Sequence, residues 1–107
     1  MSHTLLASSS ADWQAQNPVV EGRVKPFRVF DAPGLKVRAL SFDAGAVMKE
    51  HRAPVPIIVQ VAQGRILFRV DGAEYELGEG GSIQVEAGVL HELEAIEQSH
   101  AVLMLIG

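Results

Sequence analysis

Hydrophobic and polar positions alternate along most of this chain, in short stretches that begin near residue 24. Between residues 65 and 77, apolar side chains such as Ile66 and Phe68 recur at every second position, which is typical of a strand with one buried face. Asp71-Gly72 lies between the two halves of this stretch. Asp-Gly is the strongest short hairpin signal, because a two-residue type I′ turn needs positive φ at both positions. The sequence therefore predicts a β-hairpin here.

Two further stretches predict strands through the parity of their side chains. In residues 55–63, Ile57 and Val59 share one face with other valines, and the opposite face carries Ile58, Gln60 and Ala62. Residues 99–106 are apolar on both faces, so both should be covered, by a facing sheet, a partner subunit or the N-terminal segment. Sustained helical periodicity and internal repeats are absent. Short strands between recurring glycines and prolines predict an all-β sandwich or barrel.

The first 22 residues differ from the rest and are interpreted as an N-terminal arm, with the barrel over residues 23–107. Three serines at 8–10 precede Ala-Asp-Trp, a pattern that favours one short helical turn ended by Asn17-Pro18. The alternative is a loosely tied arm. In either case Trp13 is expected to be a packing anchor, since tryptophan offers the largest apolar side chain.

Length and composition exclude several classes of protein. The chain has 107 residues, which predicts one domain, and it lacks cysteine, which excludes disulfides and thiolate sites. The net charge is −4 and the nine basic residues are scattered, so neither nucleic acid nor a membrane surface is expected as a partner. No apolar run approaches the roughly 18–20 residues of a membrane span, and the start does not resemble a secretory signal. A cytoplasmic location is expected.

Four histidines are the candidate chemical groups. His3 in the arm and His100 after a turn are expected to lie at the surface. His91 shares a strand face with apolar residues, whereas the opposite face carries Glu92 and Glu94, so His91 is expected to point inward. A buried imidazole needs hydrogen-bond partners, which makes a core position, a pocket or a metal its natural surroundings. His51 by itself is typical of a surface histidine near a turn.

Taken together, glycines and histidines follow the two-motif pattern of the cupin superfamily. The marker positions that match, with the correct spacing, are Gly45, His51, Gly64, Gly80, Gly88 and His91. Four other marker positions depart from it and carry Ala53, Ile57, Glu86 and Ala95. Over residues 35–106 the chain resembles small single-domain bacterial cupins with degenerate metal-ligand motifs. The resemblance implies an RmlC-like jelly-roll barrel, the cupin double-stranded β-helix.

The resemblance also implies what remains of a metal site. Metal-binding cupins hold one ion with three histidines and a glutamate, and here His51 and His91 occupy two of those positions. Ala53 and Ile57 occupy the other two and coordinate nothing. Neighbouring carboxylates at 50 and 92 point away on regular strands, and Glu86 would reach the site only through an inward bend of its loop. At most a weakly held divalent ion (Zn, Ni, Fe or Mn) is therefore expected on the two histidines.

By the same resemblance, the barrel interior forms a mostly apolar pocket. Its expected lining residues are Ile57, Val59, Val89, Leu93 and Met104. A few polar groups in an apolar cavity are typical of a small-molecule site, so a small-molecule-binding cupin is the leading hypothesis. The alternative is a metal-dependent oxygenase or isomerase acting on a small organic substrate, or an enzyme that uses the two histidines as acid and base. The two-sided apolar final strand, together with the resemblance, predicts a homodimer.

Overall fold

The computed structural model describes residues 2–107, which form one short helix and nine strands. In chain order these elements are α1 (Ala11–Gln16), β1 (Val24–Ala32), β2 (Leu35–Phe42), β3 (Val47–His51), β4 (Ile57–Gln63), β5 (Ile66–Val70), β6 (Ala73–Leu77), β7 (Ser82–Val85), β8 (His91–Ala95) and β9 (Ser99–Ile106). Within this part of the chain no helix is long and apolar enough to cross a membrane.

The strands form two sheets in which every pairing is antiparallel. The larger sheet has the order β1-β2-β9-β4-β7, and the smaller has the order β3-β8-β5-β6. Consecutive strands such as β4 and β5 lie in different sheets, so the chain passes repeatedly between the two layers, as in a jelly roll. The all-β prediction is confirmed.

The hairpin predicted from Asp71-Gly72 is formed by β5 and β6. Ile66 pairs with Leu77 and Val70 with Ala73, so the two turn residues are the only ones outside the ladder. Both have positive φ, 55° at Asp71 and 75° at Gly72, as a type I′ turn requires. Local turn chemistry therefore decides the register of this hairpin.

The core lies between the facing sides of the two sheets. On β4, Ile57, Val59 and Val61 are at most 2% exposed, which confirms the face predicted from their parity. On β5 of the opposite sheet, Ile66 and Phe68 are fully buried. Aliphatic and aromatic side chains from both layers thus fill the interior.

The outer face of the larger sheet is partly covered by the N-terminal segment. Asn17, just after α1, is fully buried, and its side-chain amide donates to the Lys25 carbonyl at 2.9 Å. The backbone carbonyl of Asn17 accepts a 3.1 Å hydrogen bond from Nε2 of His100. His100 is therefore only 4% exposed, and the prediction of a surface histidine was wrong. The error arises because the segment that covers His100 is distant from it in sequence.

Candidate functional site

His51 and His91 lie side by side at one end of the smaller sheet. They are direct partners in the β3–β8 ladder, and their ring centroids are 4.3 Å apart with the planes at 63°. Met48 pairs with Leu93, so three steps along β3 match two steps along β8. This β-bulge reverses the parity of β3 and brings His51 to the same face as Met48. The bulge is what places the two imidazoles together.

Both histidines are fixed in the same tautomer by the backbone. Nδ1 of His51 donates to the Lys49 carbonyl at 2.8 Å, and Nδ1 of His91 donates to the Val89 carbonyl at 3.0 Å. A carbonyl oxygen only accepts, so each Nδ1 carries the proton. In the neutral rings, each Nε2 is left with a lone pair. The pair therefore presents two hydrogen-bond acceptors or metal ligands.

His91 is the more buried member of the pair. It is 3% exposed, and its ring stacks on Phe68 with centroids 5.6 Å apart and planes at 10°. Burial lowers the pKa of His91, and repulsion from His51 adds to this, although the hydrogen bond to Val89 opposes both. The neutral ring, with its free Nε2 lone pair, is thus the favoured form.

The side chains around the pair do not fit a cupin metal centre with three or four protein ligands. Among residues 2–107, no group of three or more metal-ligating side chains converges. Ile57 is 2% exposed in the core, and Ala53 packs against that core. Both side chains are hydrocarbon, so neither motif position has a donor atom. Glu92 lies on the outer face, where it accepts from Arg69 at 2.9 Å. Two imidazoles are the whole protein donor set here, fewer than the three that catalytic zinc or iron sites use.

A cavity of about 590 Å³ opens between the edge strands β6 and β7, lined by residues that contact His91 but by neither histidine. Val70, the ladder partner of His91, and Val89, whose carbonyl binds His91, both line it. Its other lining residues are Asp71, Ala73, Tyr75, Leu77, Ser82, Ile83, Gln84, Val85 and Glu86. The volume is that of an ordinary small-molecule site.

The residues predicted to line a pocket lie in three different places. Val89 lines the cavity. Ile57, Val59 and Leu93 are at most 2% exposed and belong to the packed core instead. Met104 pairs with Ile58, so it faces the outside of the larger sheet and lies away from the interior.

Sequence reasoning missed the hairpin side of the cavity. Ala73, Tyr75 and Leu77 lie on the same face of the hairpin as their buried ladder partners on β5, so the alternation of apolar residues in β6 already indicated this face. The sequence pattern indicates only a turn at Asp71 and only a distant metal ligand at Glu86, although both residues line the cavity. That β6 and β7 are adjacent sheet edges was not visible in the pattern.

Comparison with known proteins settles the family. The model of the cupin domain family matches residues 39–107, which is more than half of the chain. The chain belongs to the cupin family. No curated protein sequence matches this cupin. The resemblance drawn from the two motifs is confirmed.

Solved structures support the cupin fold. A conserved protein of unknown function from Streptococcus pyogenes superposes with a TM-score of 0.82 at 21% identity, covering 99% of this chain and 90% of that one. KdgF from Halomonas sp. has a TM-score of 0.75 at 24% identity, covering 82% of each chain. The DMSP lyase DddQ from Ruegeria pomeroyi has a TM-score of 0.74 at 19% identity, covering 79% of this chain and 47% of that one. At these identities the likeness concerns the fold.

Proposed function

We propose that this cupin binds a small organic molecule in the cavity between β6 and β7, with His51 and His91 at its inner end. The observation that carries the proposal is that two residues lining the cavity also contact His91, although neither histidine lines it: Val70 is the ladder partner of His91, and the Val89 carbonyl accepts its hydrogen bond. Apolar walls with a few oriented polar groups are the usual composition of such sites. Ile57 and Val59 are the ladder partners of the lining residues Val85 and Ile83, so the packed core holds this wall of the cavity in place.

The histidine pair is proposed to act without a resident metal. A divalent ion on these residues has only two protein nitrogens, and water must supply its remaining ligands. Such a site exchanges its ion readily, whereas the hydrogen bonds from the two rings to the Lys49 and Val89 carbonyls still orient both rings. The alternative function, a metal-dependent oxygenase or isomerase, requires an ion that stays bound.

Metal retention separates the two functions. Tag-free protein is incubated with Zn²⁺ or Ni²⁺, dialysed without chelator, and assayed for bound metal by mass spectrometry of the acidified protein. We expect the ion to bind during incubation, to be lost on dialysis, and not to bind to the His51→Ala and His91→Ala variants. His3→Ala, in the exposed N-terminal segment, is the matched control and should behave as the parent does.

Stoichiometric metal that survives dialysis in the parent, and that disappears in both site variants, would support the enzyme instead. Binding that persists in the two variants would place the ion elsewhere and remove the pair from the site.

We also propose that two copies of this cupin pair through the outer face of the larger sheet. One cross-strand row on that face consists of Phe30, Val37, Met104 and Ile58, from four adjacent strands. Val37 is already buried in the single chain, whereas the other three side chains are partly exposed. Phe27 and Phe30 are 38% and 36% exposed at its edge. A second copy related by a two-fold axis would present the same row and cover it.

A further inference from the structure

The cavity between β6 and β7 is lined by acidic charge and by no basic residue. Asp71 and Glu86 are its charged lining residues. Neither carboxylate forms an ion pair within residues 2–107. A neighbouring cavity of about 480 Å³ shares Asp71 and adds three glutamates, among them Glu50, and one arginine. The entrance to the site therefore carries a net negative charge.

That one arginine does not neutralise the entrance. Arg69 binds Glu74 at 2.8 Å, Glu92 at 2.9 Å and Glu94 at 2.7 Å. Its single positive charge is shared among three carboxylates, so the cluster keeps a net negative charge. Lysine is absent from the lining of both cavities.

The charged groups that line the cavity are hydrogen-bond acceptors, whereas Gln84 offers both a donor and an acceptor. The carboxylates of Asp71 and Glu86 accept, and the fixed tautomers leave Nε2 of His51 and His91 as acceptors too. Nε2 of neither histidine has a protein partner among the described residues, and the pair lies beside the cavity without lining it. A ligand that pairs with these acceptors supplies N–H or O–H donors.

Tyr75 adds an aromatic surface to the cavity wall. Its ladder partner Phe68 is fully buried on the same side of the hairpin, yet Tyr75 is 49% exposed because the cavity opens beside it. The neighbouring wall is apolar, with Leu77, Ile83 and Val85. A tyrosine ring attracts cations through its quadrupole and stacks on flat apolar groups.

We infer that the ligand of this cupin is a small organic cation, a primary or secondary ammonium on a short apolar or aromatic body. The ammonium supplies donors to the acceptors, and the body lies against Tyr75 and the apolar wall. This inference rests on the proposed function of the same cavity, since it specifies what that cavity binds.

Three probes of similar shape and different charge test the inference: benzylammonium, benzyl alcohol and benzoate, titrated near neutral pH into ¹⁵N-labelled protein. We expect benzylammonium to shift the amide signals of Ala73, Tyr75 and Val89, with an affinity about fivefold above that of benzyl alcohol. Benzoate should bind more weakly than either. Because the charges at the entrance are exposed, added salt should reduce the preference for the cation.

Single substitutions test which residues cause the preference for benzylammonium over benzyl alcohol. Glu86→Gln and Asp71→Asn should each lower the affinity for benzylammonium about twofold and leave that for benzyl alcohol unchanged. Tyr75→Leu should reduce the preference for benzylammonium. Glu97→Gln, an exposed carboxylate in the β8–β9 connection, is the matched control and should change nothing. The dispersion of the amide spectrum confirms that each variant is folded.

The possible outcomes are distinct. If benzyl alcohol or benzoate shifts the cavity amides as strongly as benzylammonium does, the cation preference is overturned while small-molecule binding stands. If none of the three shifts these amides at millimolar concentration, the cavity is not a ligand site, and the proposed function fails with the inference.

Discussion

Gly64, between β4 and β5, has φ +84° and packs against the start of β9. A Cβ at this position would overlap Ser99 Oγ and the Gln98 carbonyl, and it would lie 2.8 Å from Ser99 Cα. Ser99 is fully buried there, where its hydroxyl accepts from the Arg65 amide at 2.9 Å and donates to the Glu97 carbonyl at 2.7 Å. Glycine is thus required twice, for the backbone conformation and for the close approach.

Substituting Gly64 by alanine should lower the free energy of unfolding by about 3 kcal/mol or more, because overlap with backbone atoms adds to the strain of positive φ. Gly34→Ala is the matched control: its φ is +82°, but nothing lies within 4 Å of the added Cβ. We expect that variant to lose about 1 kcal/mol, the cost of the left-handed conformation alone. Urea denaturation measures the free energy of unfolding of both variants. Equal losses in the two would show that the close packing of Gly64 against Ser99 does not matter.

The N-terminal element shows how a segment outside the barrel changes the surroundings of a barrel residue. Asn17 ends α1, where its backbone N–H donates to the Trp13 carbonyl at 2.9 Å. Its side chain then lies against the larger sheet. Trp13 lines a small cavity with Ala62 and Val102 on the outer face of that sheet. Burial under this segment lowers the pKa of His100, although the bond to Asn17 opposes the shift.

Acid should therefore weaken the fold through His100. Its pKa is depressed in the folded state, so the unfolded chain takes up the proton first as the pH falls below the ordinary value of 6.5. The free energy of unfolding should then decrease from about pH 7.5 to about pH 5.5. In His100→Gln, whose amide still donates a hydrogen bond, this decrease should be smaller, and the remainder should reflect His91, whose pKa is lowered as well.

Urea denaturation at both pH values provides the measurement, and His3→Gln, with its exposed histidine, provides the control. An identical pH dependence in the parent and in His100→Gln would show that His100 does not contribute.

At the scale of the whole molecule, the two outer faces of the barrel differ in character. The smaller sheet presents Arg65 and Arg69 among glutamates of two strands, β6 and β8. Two copies of this charged face would repel each other and lose water from ionised groups. The larger sheet presents the apolar row that contains Phe30 and Met104, which favours this face for association.

We expect the protein to sediment at twice its chain mass of 11.5 kDa at micromolar concentration. Phe30→Glu should convert it to single chains, because a carboxylate in an apolar interface loses its hydration without gaining a partner. Val47→Glu is the matched control, since Val47 is 41% exposed on the outer face of the smaller sheet. A parent protein that sediments as a single chain would contradict the proposed pairing.

Local signals in the sequence were sufficient for the architecture. Alternation fixes which face of β4 and β5 is buried, and Asp71-Gly72 fixes a turn, because both depend on backbone geometry over a few residues. The resemblance to the two cupin motifs indicated the barrel and implied that His51 and His91 lie together, with Ala53 and Ile57 at the two remaining motif positions.

The surroundings of individual side chains needed the assembled barrel. The bulge in β3 turns His51 inward, the register of β9 turns Met104 outward, and the N-terminal segment buries His100. The cavity beside Tyr75 exists because two sheet edges meet there without pairing. Each of these depends on contacts between residues far apart in sequence, which alternation and spacing along the chain do not encode.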